Sequence, residues 1–84
     1  MKQCDCTMPT VLRIEGFQFF FFANDHAPPH IHVIKGDDYA KIDFISGNVL
    51  ENDMSPSDLK KARELCRQNK RLLKEAWDEW FKNC

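Results

Sequence analysis

The chain has 84 residues, 12 basic against 13 acidic side chains and a net charge of −1, so it is one small domain that bulk electrostatic attraction alone would not hold on nucleic acid. The apolar stretch Phe17-Gln18-Phe19-Phe20-Phe21-Phe22 is far shorter than the ~20 residues a membrane-spanning helix needs, and no charged segment leads into an apolar run at the start. A soluble, cytoplasmic protein that does not enter a membrane is the expectation.

A hydrophobic core of this size only just offsets chain entropy. A small cognate protein, self-association or a bound ligand is therefore expected to add stability. Cys4, Cys6, Cys66 and Cys84, without a secretory signal, read as reduced thiols rather than a disulfide framework. Cys4-Asp5-Cys6 lacks the second ligand pair of a structural zinc site and reads as part of a tail.

In chain order, residues 1–7 are an appendage without periodicity, and the folded α+β domain is expected over 8–84, beginning at Met8-Pro9-Thr10. Val11-Leu12-Arg13-Ile14 reads as a short strand that Gly16 turns into an aromatic strand over 17–22. Phenylalanine at both alternating sets means that this strand is covered on both faces or lies in an interface. Pro28-Pro29 imposes an extended entry into a strand from His30 to Lys35.

Gly36-Asp37 can close a tight hairpin to a strand over 38–45. With Lys35 opposite Asp38, the facing pairs are Ile34 with Tyr39, Val33 with Ala40, His32 with Lys41, Ile31 with Ile42 and His30 with Asp43. The period of two then puts Ile31, Val33, Ala40, Ile42 and Phe44 on the core side, and His30, His32, Lys41 and Asp43 on the opposite face towards solvent or a partner. Ser46-Gly47-Asn48 makes a turn into a last short strand at Val49-Leu50-Glu51.

Ser55-Pro56-Ser57-Asp58 is a helix start, with Ser55 as N-cap and proline at the first helical position. Apolar residues recur at helical spacing from Leu59 to Phe81, interrupted at Asn69, so the spacing predicts two helices, 56–68 and 70–82. Trp77, Trp80 and Phe81 would pack the second against the sheet. The whole is a small, mainly antiparallel sheet of three to five strands followed by two C-terminal helices. Lys60, Lys61, Arg63, Arg67, Lys70, Arg71 and Lys74 face Glu64 alone between residues 60 and 74; a solvated helix face is the simpler reading of that run, a phosphate-binding surface the other.

All three histidines fall within Asp25-His26-Ala27-Pro28-Pro29-His30-Ile31-His32, and this clustering is the main pointer to function. Together with Met8-Pro9-Thr10, the Gly-x-x-Phe-Phe-Phe run and the closing Trp77-x-x-Trp80-Phe81 segment, it makes the chain resemble, over about residues 8 to 81, a small bacterial and phage family, domain of unknown function 4160. The resemblance implies no catalytic residues. Members are often encoded beside a second small protein, which implies a protein partner and a toxin–antitoxin-like or phage accessory system working on nucleic acid or nucleotides.

From the residues themselves three functional uses of the locus stay open, beside a structural one in which the histidines only cap and hydrogen-bond the loop. His30 and His32 with Lys41 could form an acid/base site of a small metal-independent ribonuclease, the imidazoles exchanging protons with a ribose hydroxyl and a leaving oxygen while Lys41 faces the phosphate. His26, His30 and His32, with Asp25 or Asp43, could instead hold a divalent zinc-type metal, for hydrolysis or for structure. In the third use the same residues, with Tyr39, Asp25, His26 and Asp43, bind a nucleotide, a nucleic-acid strand or a partner peptide without chemistry.

Overall fold

A computed structural model describes residues 10–21 and 29–83. Five strands, β1 (Thr10–Ile14), β2 (Phe17–Phe20), β3 (Ile31–Lys35), β4 (Asp38–Ile42) and β5 (Val49–Asn52), form one antiparallel sheet in the order of the chain. Two helices follow, α1 (Pro56–Gln68) and α2 (Lys70–Asn83), completing an α+β arrangement. The 1–7 tail lies outside the described residues, and the helices are those the apolar spacing predicts.

Turn chemistry sets the register of the sheet. Glu15 and Gly16 take positive φ, 52° and 84°, between β1 and β2, the combination that matches strand twist in a two-residue hairpin. At the next tight hairpin Gly36 supplies the positive φ, 61°, ahead of Asp37. The β3–β4 ladder then runs Lys35 with Asp38 through Ile31 with Ile42, the register the sequence predicts. It stops there. His30 does not pair with Asp43, because Asp43 already belongs to the next turn, its amide donating to the Asn48 carbonyl at 2.8 Å.

The helices cover one face of the sheet, and the core fills the gap. Phe17, Phe19, Phe21, Ile31, Val33, Ala40, Ile42 and Phe44 meet Ala62, Leu65, Cys66, Leu73 and Trp77 there. The phenylalanine run divides between the two faces: Phe19 belongs to this core, whereas Phe20 pairs across the ladder with His32 on the other side. Both are buried, at 0% and 1% exposure, so the strand is covered on both faces.

Ser55 caps α1, its Oγ accepting the Asp58 amide at 3.2 Å, with Pro56 opening the first turn. Asn69 interrupts the helices for one residue. Its amide Nδ2 donates to the Leu65 carbonyl at 2.8 Å, so it closes the C-terminal end of α1 rather than only starting α2. Lys61 pairs with Glu15 at 3.1 Å and Lys35 with Asp58 at 3.7 Å, which ties α1 to the β1–β2 turn and to the end of β3.

Candidate functional site

His32 is the second residue of β3, on the face turned away from the helices. Its direct cross-strand neighbour Phe20 stacks on it, centroids 5.5 Å apart and planes at 19°. On the other side Tyr39 of β4, a diagonal neighbour within aromatic reach, lies at 6.0 Å and 24°. The Tyr39 hydroxyl is 2.9 Å from His32 Nδ1. Whichever of the two donates, this contact fixes the ring orientation and the tautomer.

Tyr39 is itself held. Its backbone amide donates to the Asp53 carboxylate at 2.6 Å, and the Asp53 amide donates back to the Tyr39 carbonyl at 2.9 Å. A residue just past β5 therefore positions the hydroxyl that positions His32. The sequence reading missed Asp53, since nothing local marks a contact between two segments 14 residues apart.

His30 lies just before β3. Its ring meets that of His32 edge-on, centroids 5.1 Å apart and planes at 82°, and contacts Trp77 of α2 at 5.5 Å. Trp77 also packs edge-on against Phe21 and Phe44, at 5.3 and 6.2 Å. One indole thus joins the core to the histidine pair.

The sequence reading turned these histidines towards solvent or a partner, and the solvent half of it does not hold: His30 is 7% and His32 4% exposed. The period of two assigned the face properly but took no account of the large aromatic residues around it. Phe20 and Tyr39 flank one ring, and Trp77 from α2 reaches the other.

Lys41 lies directly across the ladder from His32. Its ammonium pairs with Glu51 of β5 at 3.1 Å and is partly shielded, so a phosphate recruited here would compete with one carboxylate. Asp43 does not join the cluster. Its carboxylate accepts the amides of Ile45 and Ser46, at 2.9 and 3.0 Å, and caps the turn before β5. Asp25 and His26 lie outside the described residues. Among the described residues no group of three or more His, Cys, Asp or Glu side chains is placed to hold a metal ion, and the zinc-type reading rests on those two undescribed residues.

Cys66 is a separate case. It is buried on the sheet-facing side of α1, and burial pushes its thiol up to about 12. The neutral thiol therefore dominates at physiological pH, and only the thiolate is an effective nucleophile. In a Cys4→Ser/Cys6→Ser/Cys84→Ser variant, a thiol-reactive chromogen at pH 8 should label no cysteine in the native protein and one after denaturation. Rapid native labelling would contradict the burial.

A family model described as "Domain of unknown function (DUF4160)" matches residues 16–78, which take in β2 to β5, α1, most of α2 and the histidine pair. No curated protein and no solved structure matches the chain. No described helix is long and apolar enough to cross a membrane. With its family model matched over well over half its length, the chain belongs to the DUF4160 family.

Proposed function

We propose that the domain binds nucleic acid or nucleotides where His30 and His32 meet, as a small intracellular module of a toxin–antitoxin-like or phage accessory system. The supporting observation is the pair itself: two imidazoles 5.1 Å apart and perpendicular, one oriented by Tyr39, with Lys41 on the adjoining strand. Imidazole edges can hydrogen-bond a base or a phosphate, and the flanking aromatic rings keep them from rotating. The burial of both rings favours capture at a narrow edge over an open trough.

The closeness of the imidazoles and the neighbouring Lys41 also support a second reading, RNA cleavage. One neutral imidazole would take the proton of a ribose 2′-hydroxyl as its oxygen attacks phosphorus. The other, as imidazolium, would protonate the departing 5′-oxygen, leaving a 2′,3′-cyclic phosphate and a 5′-hydroxyl. Lys41, released from Glu51, would face the phosphate oxygens.

Anisotropy with a labelled 20-mer RNA and with nucleoside triphosphates tests the proposal on the wild type, His30→Ala/His32→Ala and His30→Gln/His32→Gln, each checked for native circular dichroism. Binding should fall at least about tenfold in both variants, as expected when a central polar contact is removed. Unchanged affinity in a folded variant would overturn the site. Cyclic-phosphate ends on the incubated RNA, lost in the glutamine variant, would establish the cleavage reading.

A further inference from the structure

A second place in the fold has the chemistry of a phosphate site and does not depend on the histidines. Between the β4–β5 turn and α1 lies a cleft of about 520 Å³, with Phe44, Ile45 and Leu59 on its apolar side and Lys60, Arg63, Arg67 and Lys70 on its rim. That volume is within the ordinary range for small-molecule sites. Lys60, Arg63 and Arg67 recur at intervals of three and four residues along α1, which aligns them as one stripe, and Lys70 opens α2 beside it. Against them stands Glu64, so four positive charges and one negative leave the lining at +3.

The way these cations are partnered sets them apart from a solvated helix face. Among the described side chains of the helices, the cations outside the cleft are engaged: Lys61 with Glu15, Arg71 with Glu75 and Lys74 with Asp78. Within the cleft only Arg67 is, with Glu64. Lys60, Arg63 and Lys70 meet no carboxylate at ion-pair distance among the described residues. Hydrogen bonding from Arg67 holds the Glu64 carboxyl below its ordinary range, so the one acidic group is already committed. Lys60, Arg63 and Lys70 are all exposed and converge on a hollow whose wall includes Ile45, 39% exposed.

From this juxtaposition we infer that the cleft binds a nucleotide, its phosphates on Lys60, Arg63, Arg67 and Lys70 and its base against Ile45 and Leu59. The nucleotide is either free or part of a single strand, since both present the same phosphate and ring chemistry. Arginine favours this ligand because its planar fork matches two phosphate oxygens at once. The apolar wall favours a ring-bearing phosphate over inorganic phosphate.

Calorimetric titration at low and at physiological salt distinguishes the cases, with inorganic phosphate, AMP, ATP, an oligothymidylate 10-mer and polyglutamate as probes. The wild type is compared with Lys60→Glu/Arg63→Glu, which changes exposed side chains only, and with His30→Gln/His32→Gln. ATP or the oligonucleotide should bind more tightly than AMP, and AMP more tightly than phosphate. Salt should weaken binding, and Lys60→Glu/Arg63→Glu should reduce it at least about tenfold, as the loss of two phosphate contacts requires. The glutamine variant should lose the event at the histidine pair and retain this one, so that two binding events become one. Tighter binding of ATP identifies a free nucleotide, and of the 10-mer a strand. The proposal is overturned if neither binds, if Lys60→Glu/Arg63→Glu binds as well as the wild type, or if polyglutamate binds as tightly as either. Loss of all binding in the glutamine variant, with none lost in Lys60→Glu/Arg63→Glu, would also overturn it and assign the ligand to the histidine pair.

Discussion

Trp77→Ala should come close to unfolding the domain. The indole of Trp77 is 9% exposed and touches Phe21, Phe44 and His30, so its removal leaves a void between α2 and the sheet. Truncating a buried tryptophan costs ~3–5 kcal/mol, while a domain of this size has only ~4–12 kcal/mol in total. At ~4–8 °C per kcal/mol the melting temperature should fall by ~12–40 °C. The same change removes the wall behind His30, so ligand affinity should fall even in the fraction that remains folded. Thermal denaturation followed by circular dichroism checks this; a drop of less than about 5 °C, corresponding to ~1 kcal/mol, would mean that α2 does not dock through this residue.

Phe19→Ala tests the other half of the core. Phe19 is fully buried among side chains of the sheet and helices, and its loss should also cost ~3–5 kcal/mol. Phe19→Leu, which refills most of the volume, should cost ~1–2 kcal/mol. Leu72→Ala, at a position 43% exposed, should cost under ~1 kcal/mol. Urea denaturation of the three variants should give that order. A mild effect of Phe19→Ala would instead mean that the phenylalanine strand is a ligand-facing platform and not a core strand.

Much of the fold could be read from local chemistry. A tight turn at Gly36 and the alternation of Ile31, Val33, Ala40 and Ile42 determine the β3–β4 register, because a slip by one residue would turn every one of those side chains to the wrong face. Ser55 and Pro56 mark the start of α1, and Asn69 marks the break before α2, through hydrogen bonds within a few residues.

The site was legible only in part. His32, Tyr39 and Lys41 come together through strand pairing, and His30, just before β3, joins them by its ring contact with His32. The burial of the histidines was not legible, because it depends on Phe20 from a strand far upstream and on Trp77 from the last helix. Asp43 misled for a local reason: its carboxylate is used by its own turn, where an aspartate before Ser-Gly-Asn is better read as a cap than as part of a patch. The basic run between residues 60 and 74 divides in the same way. The pairs of Arg67 with Glu64, Arg71 with Glu75 and Lys74 with Asp78 follow from helical spacing, whereas the cleft depends on the β4–β5 turn packed beside α1, which spacing along the helix does not reveal.

The most direct test of the histidine site is a titration of ¹⁵N-histidine-labelled protein with unlabelled RNA 20-mer or ATP, following the imidazole nitrogens by NMR. The Nε2 signals of His30 and His32 should move or broaden saturably in step with binding, while Nδ1 of His32 keeps the signature of its bond to Tyr39. If binding saturates and neither imidazole responds, the proposed site at the histidine pair is wrong and the ligand lies elsewhere on the domain.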